Sequence, residues 1–166
     1  MLEAGKSSMT RRGVNDKQTS DGGAGRVTLR ERLGISDEQF REMGQVGAMY
    51  YQQGNLDKAR TVFEGLIEID PQSVDAHSAL GALYTRTQRD ADALRHLNRA
   101  LELDDRQIAA HVNRAEIYLR RQQVEQAVAD LKKAIELDPQ EQDAGANRAR
   151  AMVLGIHEAL EAKGVM

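Results

Sequence analysis

From residue 40 onward apolar side chains recur at three- and four-residue steps, as Phe40, Met43, Val46, Gly47 and Tyr50. That spacing puts them on one face of an α-helix. Ser36, followed three residues later by Gln39, is a capping-box pair, so the helix is expected to begin at Asp37. Gly54-Asn55 breaks it where a C-terminal glycine is expected. A second stripe, Leu56, Ala59, Val62, Phe63, Leu66 and Ile67, runs to Asp70-Pro71. Proline cannot continue that helix but can open the next. The same plan follows twice more, with Gln88 and Gln122 in place of the turn glycine.

The plan has a fixed period. Tyr50, Tyr84 and Tyr118 stand 34 residues apart, as do Ala59, Ala93 and Ala127, then Phe63, Leu97 and Leu131, then Asp70, Asp104 and Asp138. Three helical hairpins are predicted at about 40–73, 74–107 and 108–141. Val27, Leu29, Leu33 and Ile35 form a short amphipathic lead. A last helix over about 142–163, with Met152, Val153, Ile156 and Leu160, would cover the open face of the third hairpin, as a terminal unit must. Residues 1–26 are polar and lack periodic apolar positions, so a flexible arm is expected there, with one domain over 27–166.

This pattern resembles the tetratricopeptide repeat, two antiparallel helices in 34 residues with small residues at the eighth, twentieth and twenty-seventh positions and proline near the thirty-second. Gly47, Ala59 and Pro71 match in the first unit, Gly81, Ala93 and Ala100 in the second, and Ala115, Ala127, Ala134 and Pro139 in the third. The resemblance implies an all-α, right-handed α-solenoid of three such hairpins. Small residues recur because close-packed helices approach only where no large side chain intervenes.

Composition narrows the function. Abundant straight-chain residues and only two prolines favour helix throughout. There is no cysteine, so neither disulfides nor thiolate-ligated zinc can hold the fold. The first twenty residues contain no apolar run of the signal-peptide kind, and no stretch approaches membrane-spanning length, so a cytoplasmic protein without direct membrane insertion is expected. Charge is +3 over residues 1–33 and −6 over residues 34–166, and a mildly acidic body does not point to nucleic acid.

No nucleophile elbow, phosphate-binding glycine loop or metal-ligand spacing is present, so no enzyme and no cofactor are expected. His77 and His111 each occupy the fourth position of a unit, usually a bulky packing position, and are read as packing rather than ligating. Arg114 and Arg148, both in "NRA", stand where the repeat usually places leucine. Either their stems pack while their heads reach water, or they pair with an acidic group of this protein or of a partner.

In the repeat family the first helix of each hairpin lines a concave surface that takes extended or helical segments of other proteins. Carried onto this chain, the lining positions are Arg41, Gly44, Ala48 and Tyr51, then Asp75, Ser78, Ala82 and Thr85, then Ala109, Val112, Glu116 and Leu119. The set is mostly small and apolar with few charges, which suits a protein segment carrying aliphatic anchors. Repeat domains that capture acidic chaperone tails place lysine, asparagine and arginine at such positions, where this chain has Gly44, Ala48 and Ala109.

The stretch from Gly22 to Asp70 further resembles the class II type III secretion chaperones of bacteria, which hold hydrophobic translocator proteins. The shared features are Gly22-Gly23, the amphipathic Leu29 to Leu33, Ile35-Ser36, and then Phe40, Met43, Val46, Tyr51, Gly54, Ala59, Phe63 and Leu66. Leu80-Gly81-Ala82 also agrees, although the aromatic residues usual at the start of the second repeat do not appear. The resemblance implies a non-enzymatic chaperone that shields an extended segment of a secreted partner in its groove. It also implies a homodimer through the N-terminal helix, for which Leu29, Leu33 and Ile35 are the candidates. The alternative is a general tetratricopeptide scaffold in another bacterial assembly.

Overall fold

A computed structural model describes residues 27–162 and 164; the arm expected over 1–26 lies outside them. The described residues form eight helices, α1 (Leu29–Arg32), α2 (Asp37–Gln52), α3 (Leu56–Ile69), α4 (Val74–Arg86), α5 (Asp90–Leu103), α6 (Ile108–Arg120), α7 (Val124–Glu136) and α8 (Ala144–Ala162). None is long and apolar enough to cross a membrane.

Local chemistry sets the boundaries. α2 begins at Asp37 because Ser36 Oγ accepts from the Gln39 N–H at 3.2 Å while Gln39 Oε1 accepts from the Ser36 N–H at 2.9 Å. Thr28 and Glu31 form a second capping box that holds the single turn of α1. The three hairpin turns are equivalent: Gly54, Gln88 and Gln122 all have left-handed backbone, with φ of 75°, 57° and 60°. The glutamines adopt it without glycine's freedom, at about 1–2 kcal/mol each.

Each hairpin closes on a small-against-large pair one period apart. Gly47 faces Phe63, Gly81 faces Leu97, and Ala115 and Leu131 are both fully buried. A Cβ added at Gly81 would stand 2.5 Å from Leu97 Cδ2 and 2.6 Å from its Cγ, with the Leu97 backbone N at 3.4 Å. Overpacking of this kind costs about 1–3 kcal/mol, whereas alanine recovers only about 0.8–1.0 kcal/mol of helix propensity over glycine. Gly81→Ala is therefore expected to lower the urea midpoint with an unchanged m-value.

The hairpins stack through their first helices. α2 touches α4, α4 touches α6 and α6 touches α8, whereas α3, α5 and α7 make no contact with one another. The row α2, α4, α6, α8 is thus the shorter, inner side of the stack and the second helices fan out on the outer side. Two clusters form the core. One joins the first two hairpins and reaches Ile117; the other joins the third hairpin to α8 through Ala149, Met152, Val153 and Ile156.

Candidate partner-binding groove

The inner wall differs along its length. At the α2 end an open cavity of about 580 Å³ lies between α1, α2 and the start of α4. Phe40, Gly44, Ala48, Val74, Ala76 and Ala79 give it apolar walls, and Arg30, Asp37, Arg41, Asp70 and Asp75 form part of its lining as charged groups. Gly44 differs from Gly47 in an informative way. Beyond its own helix, the only atom within 4 Å of an added Cβ is Leu66 Cδ1, at 3.9 Å. Packing does not require a glycine there; its absent side chain leaves space in the groove.

Arg30 ties α1 across one end of this cavity. Its Nε donates to the Ile35 carbonyl at 3.3 Å, its Nη2 pairs with Asp37, its Nη1 lies 3.7 Å from Asp70, and the guanidinium sits 4.5 Å from the Phe40 ring centroid. Sequence reasoning did not place Arg30 in the site, because a basic residue in a four-residue helix carries no periodic signal.

The expected lining residues divide into three groups. Arg41, Ala48, Asp75 and Ala109 are exposed, and Gly44, Tyr51, Ala82, Glu116 and Leu119 are half-buried. Tyr51 lies under Arg86, whose guanidinium is 5.0 Å from the ring centroid and donates to the Tyr51 carbonyl at 3.0 Å. Ser78, Thr85 and Val112 depart from expectation: they are buried by the protein's own packing and offer a partner no surface. α4 and α6 pack directly on each other, which closes that flank of both helices. Thr85 Oγ1 donates back to the Gly81 carbonyl at 2.8 Å, and Val112 belongs to the core beneath α8.

Toward α8 the inner wall becomes ionic rather than apolar. Glu116 accepts from Arg120 at 3.2 Å and pairs with Arg148 of α8, and Arg120 also pairs with Asp90. The few charges expected along the groove are thus concentrated at this end and at the cavity rim.

Arg114 and Arg148 both pair with acidic groups of this protein. Arg114 holds Asp130 bidentately, Nε to Oδ2 and Nη2 to Oδ1, each at 2.7 Å, and donates to Asn98 Oδ1 at 2.8 Å. His111 Nδ1 lies 2.8 Å from Asp130 Oδ1, and its Nε2 lies 2.9 Å from the Asp105 carbonyl. Burial alone would push the Asp130 carboxyl up, but the hydrogen bonds from Arg114 and His111 outweigh it and hold the group below the usual carboxylate range.

One period earlier the same offset places His77 against His96. Their Nδ1 atoms are 3.1 Å apart, and His77 Nε2 donates to the Pro71 carbonyl at 3.2 Å. Burial lowers the His77 pKa, opposed by the Pro71 hydrogen bond and aided by Arg99. Burial, His77 and Arg95 push His96 down to about 4, against the opposing pull of Asp92 and Glu64. An unfolded histidine takes up a proton near pH 6.5 that the folded pair resists. Stability is therefore retained above that pH and falls as pH drops from about 6.5 toward about 4. Thermal melts across this window should show the decline, and His96→Gln should flatten it.

Residues 47–88 match a model described as TPR repeat, and residues 108–141 match the tetratricopeptide repeat itself. The two matched segments are tetratricopeptide repeats, and the all-α repeat fold is the one expected. No curated protein is similar enough in sequence to be recognised as a relative. Among solved structures, the type III secretion translocator chaperone SycD of Yersinia enterocolitica aligns with a TM-score of 0.70 at 20% identity, over 79% of this chain and 99% of its own. SycD has also been solved with a peptide of the translocator YopD. PcrH from Pseudomonas aeruginosa aligns with a TM-score of 0.66 at 23% identity, over 75% of this chain and 96% of its own. PcrH has been solved with the chaperone binding region of PopB. The first repeat domain of Spaghetti (RPAP3), bound to an HSP90 peptide, aligns at 0.62 and 22% identity, over 74% of this chain and 97% of its own. At these identities the likeness establishes the fold.

Proposed function

We propose that this tetratricopeptide-repeat chain is a non-enzymatic, cytoplasmic chaperone of bacterial type III secretion that holds an extended segment of a hydrophobic, exported protein against its inner wall. The open cavity at the α2 end carries the reading. It is walled by Gly44, Ala48, Val74 and Ala79, and the protein's own core leaves it unfilled. An aliphatic anchor buried there contributes about 1.5–3 kcal/mol. Supporting this, the stretch from Gly22 to Asp70 resembles the translocator chaperones, and two solved structures of similar fold are SycD with a peptide of the translocator YopD and PcrH with the chaperone binding region of PopB.

The fold is shared with an HSP90-peptide binder, so the chemistry of the inner wall, not the fold, selects the partner. An acidic tail would meet three carboxylates, Asp37, Asp70 and Asp75, against two guanidiniums, Arg30 and Arg41, of which Arg30 is already engaged by Asp37 and Asp70, so the cavity offers it no net attraction. A general scaffold in another bacterial assembly is the second reading, favoured by the ionic end of the groove at Glu116, Arg120 and Arg148. Affinity capture from the native host, read by mass spectrometry, separates the two. Recovery of an exported protein with long apolar segments supports the chaperone, whereas recovery of soluble assembly components alone supports the scaffold.

Self-association is proposed through the lead. Val27, Leu29 and Leu33 are 62%, 40% and 61% exposed, an apolar edge that a second copy would cover, with Ile35 half-buried beside it. Leu29→Asp with Leu33→Asp is expected to convert a dimer to a monomer in light scattering; an unchanged mass excludes this edge.

A further inference from the structure

The central hairpin carries a histidine pair that the groove does not use. We propose that His77 of α4 and His96 of α5 form a two-histidine site for a borderline-soft divalent cation such as zinc or nickel, with water completing the coordination. Three observations point there. The two Nδ1 atoms are already 3.1 Å apart, on facing helices of one hairpin. With metal–nitrogen bonds of about 2.0–2.1 Å, that separation corresponds to an angle of about 100° at the metal, within the range tetrahedral and octahedral centres accept. The rings need to turn toward a common point, but the helices need not separate.

His77 is also held in the tautomer a ligand requires. The Pro71 carbonyl can only accept, so the His77 proton resides on Nε2 and the Nδ1 lone pair faces His96. A ligating histidine whose other nitrogen donates to a backbone carbonyl is the usual orienting arrangement at metal sites. In the metal-free pair His96 donates from Nδ1; on binding, its proton moves to Nε2, and both rings remain neutral.

The third contribution comes from the equivalent place one period later. There Asp130 stands where His96 does, and Arg114 supplies the cation that holds it. Leu80 occupies the column of Arg114 in the second hairpin and can supply none. His96 is half-buried, so water can reach the open positions. Tyr84 stacks on His96 at 5.7 Å between ring centroids; the fields of Asp92, one turn back on α5, and Glu64 of α3 favour a cation at His96, and those of Arg95 at His96 and Arg99 at His77 oppose it. Among the described residues no third histidine, cysteine or carboxylate completes a metal-binding group, so the site is a two-ligand clamp between α4 and α5.

Titration of the untagged protein with nickel chloride by isothermal calorimetry is the test. One ion per chain is expected, with affinity falling at least about tenfold in His96→Gln and unchanged in His157→Gln, whose ring lies on α8. His77→Gln should match His96→Gln, with circular dichroism establishing that each variant is folded. Since His96 is half-buried, its variant retains a test even if the one at buried His77 fails to fold. No binding, or binding that survives His96→Gln, overturns the proposal.

Discussion

Replacing Asp130 with alanine is expected to lower the unfolding free energy by about 3 kcal/mol, toward the low end of what breaking a buried ion pair costs. The carboxylate is 7% exposed in its side chain, His111 is 8% and Arg114 is 21%. Removing it leaves a half-buried guanidinium and a buried imidazole facing each other without a shared acceptor. Arg114 keeps Asn98 and some solvent, which limits the penalty. The second hairpin suggests a milder change. Arg114→Leu together with Asp130→His copies the Leu80 and His96 columns, and this double variant should cost less than Asp130→Ala alone. Urea unfolding at neutral pH reads both. Equal midpoints for wild type and Asp130→Ala would show that the network contributes nothing to stability.

Ala48→Arg is expected to abolish capture of the groove's partner while leaving the melting temperature within a degree or two. Ala48 is exposed on α2 and lines the cavity, so a long side chain there fills space without entering the core. Arginine retains good helix propensity, so the surface change should fall within about 0.5 kcal/mol. Losing even two aliphatic anchors removes about 3–6 kcal/mol of binding, a reduction of at least about a hundredfold in affinity. The separation of the two readouts is what distinguishes a blocked groove from a damaged fold.

The repeat was legible because packing forces the same residue type onto the same column. Ala59, Ala93 and Ala127 are all fully buried, and the glycines at 47 and 81 face Phe63 and Leu97 so closely that an added Cβ would force the neighbour to shift. The start of α2 was legible for a different reason, since Ser36 and Gln39 satisfy helix-end donors through local bonds. The groove was less so. Ser78, Thr85 and Val112 occupy lining positions, yet how closely one first helix approaches the next decides whether such a position faces outward. That approach is set by tertiary packing rather than by period.

The partners of Arg114 and Arg148 were also hidden, because Asp130 lies on the next helix and Glu116 on an earlier one. A signal did exist. His111 with Asp130 and His77 with His96 share one sequence offset, which marks a face where α6 meets α7 and α4 meets α5.

The most direct test of the central claim places a photo-crosslinking amino acid at residue 48 on the inner wall and, separately, at Thr61, an exposed position on α3. Irradiation in cells of the native host should join the chain to an exported, aliphatic-rich protein from position 48 and not from position 61. Crosslinks of equal yield from both positions, or from 61 alone, would contradict an inner wall that carries another protein's chain.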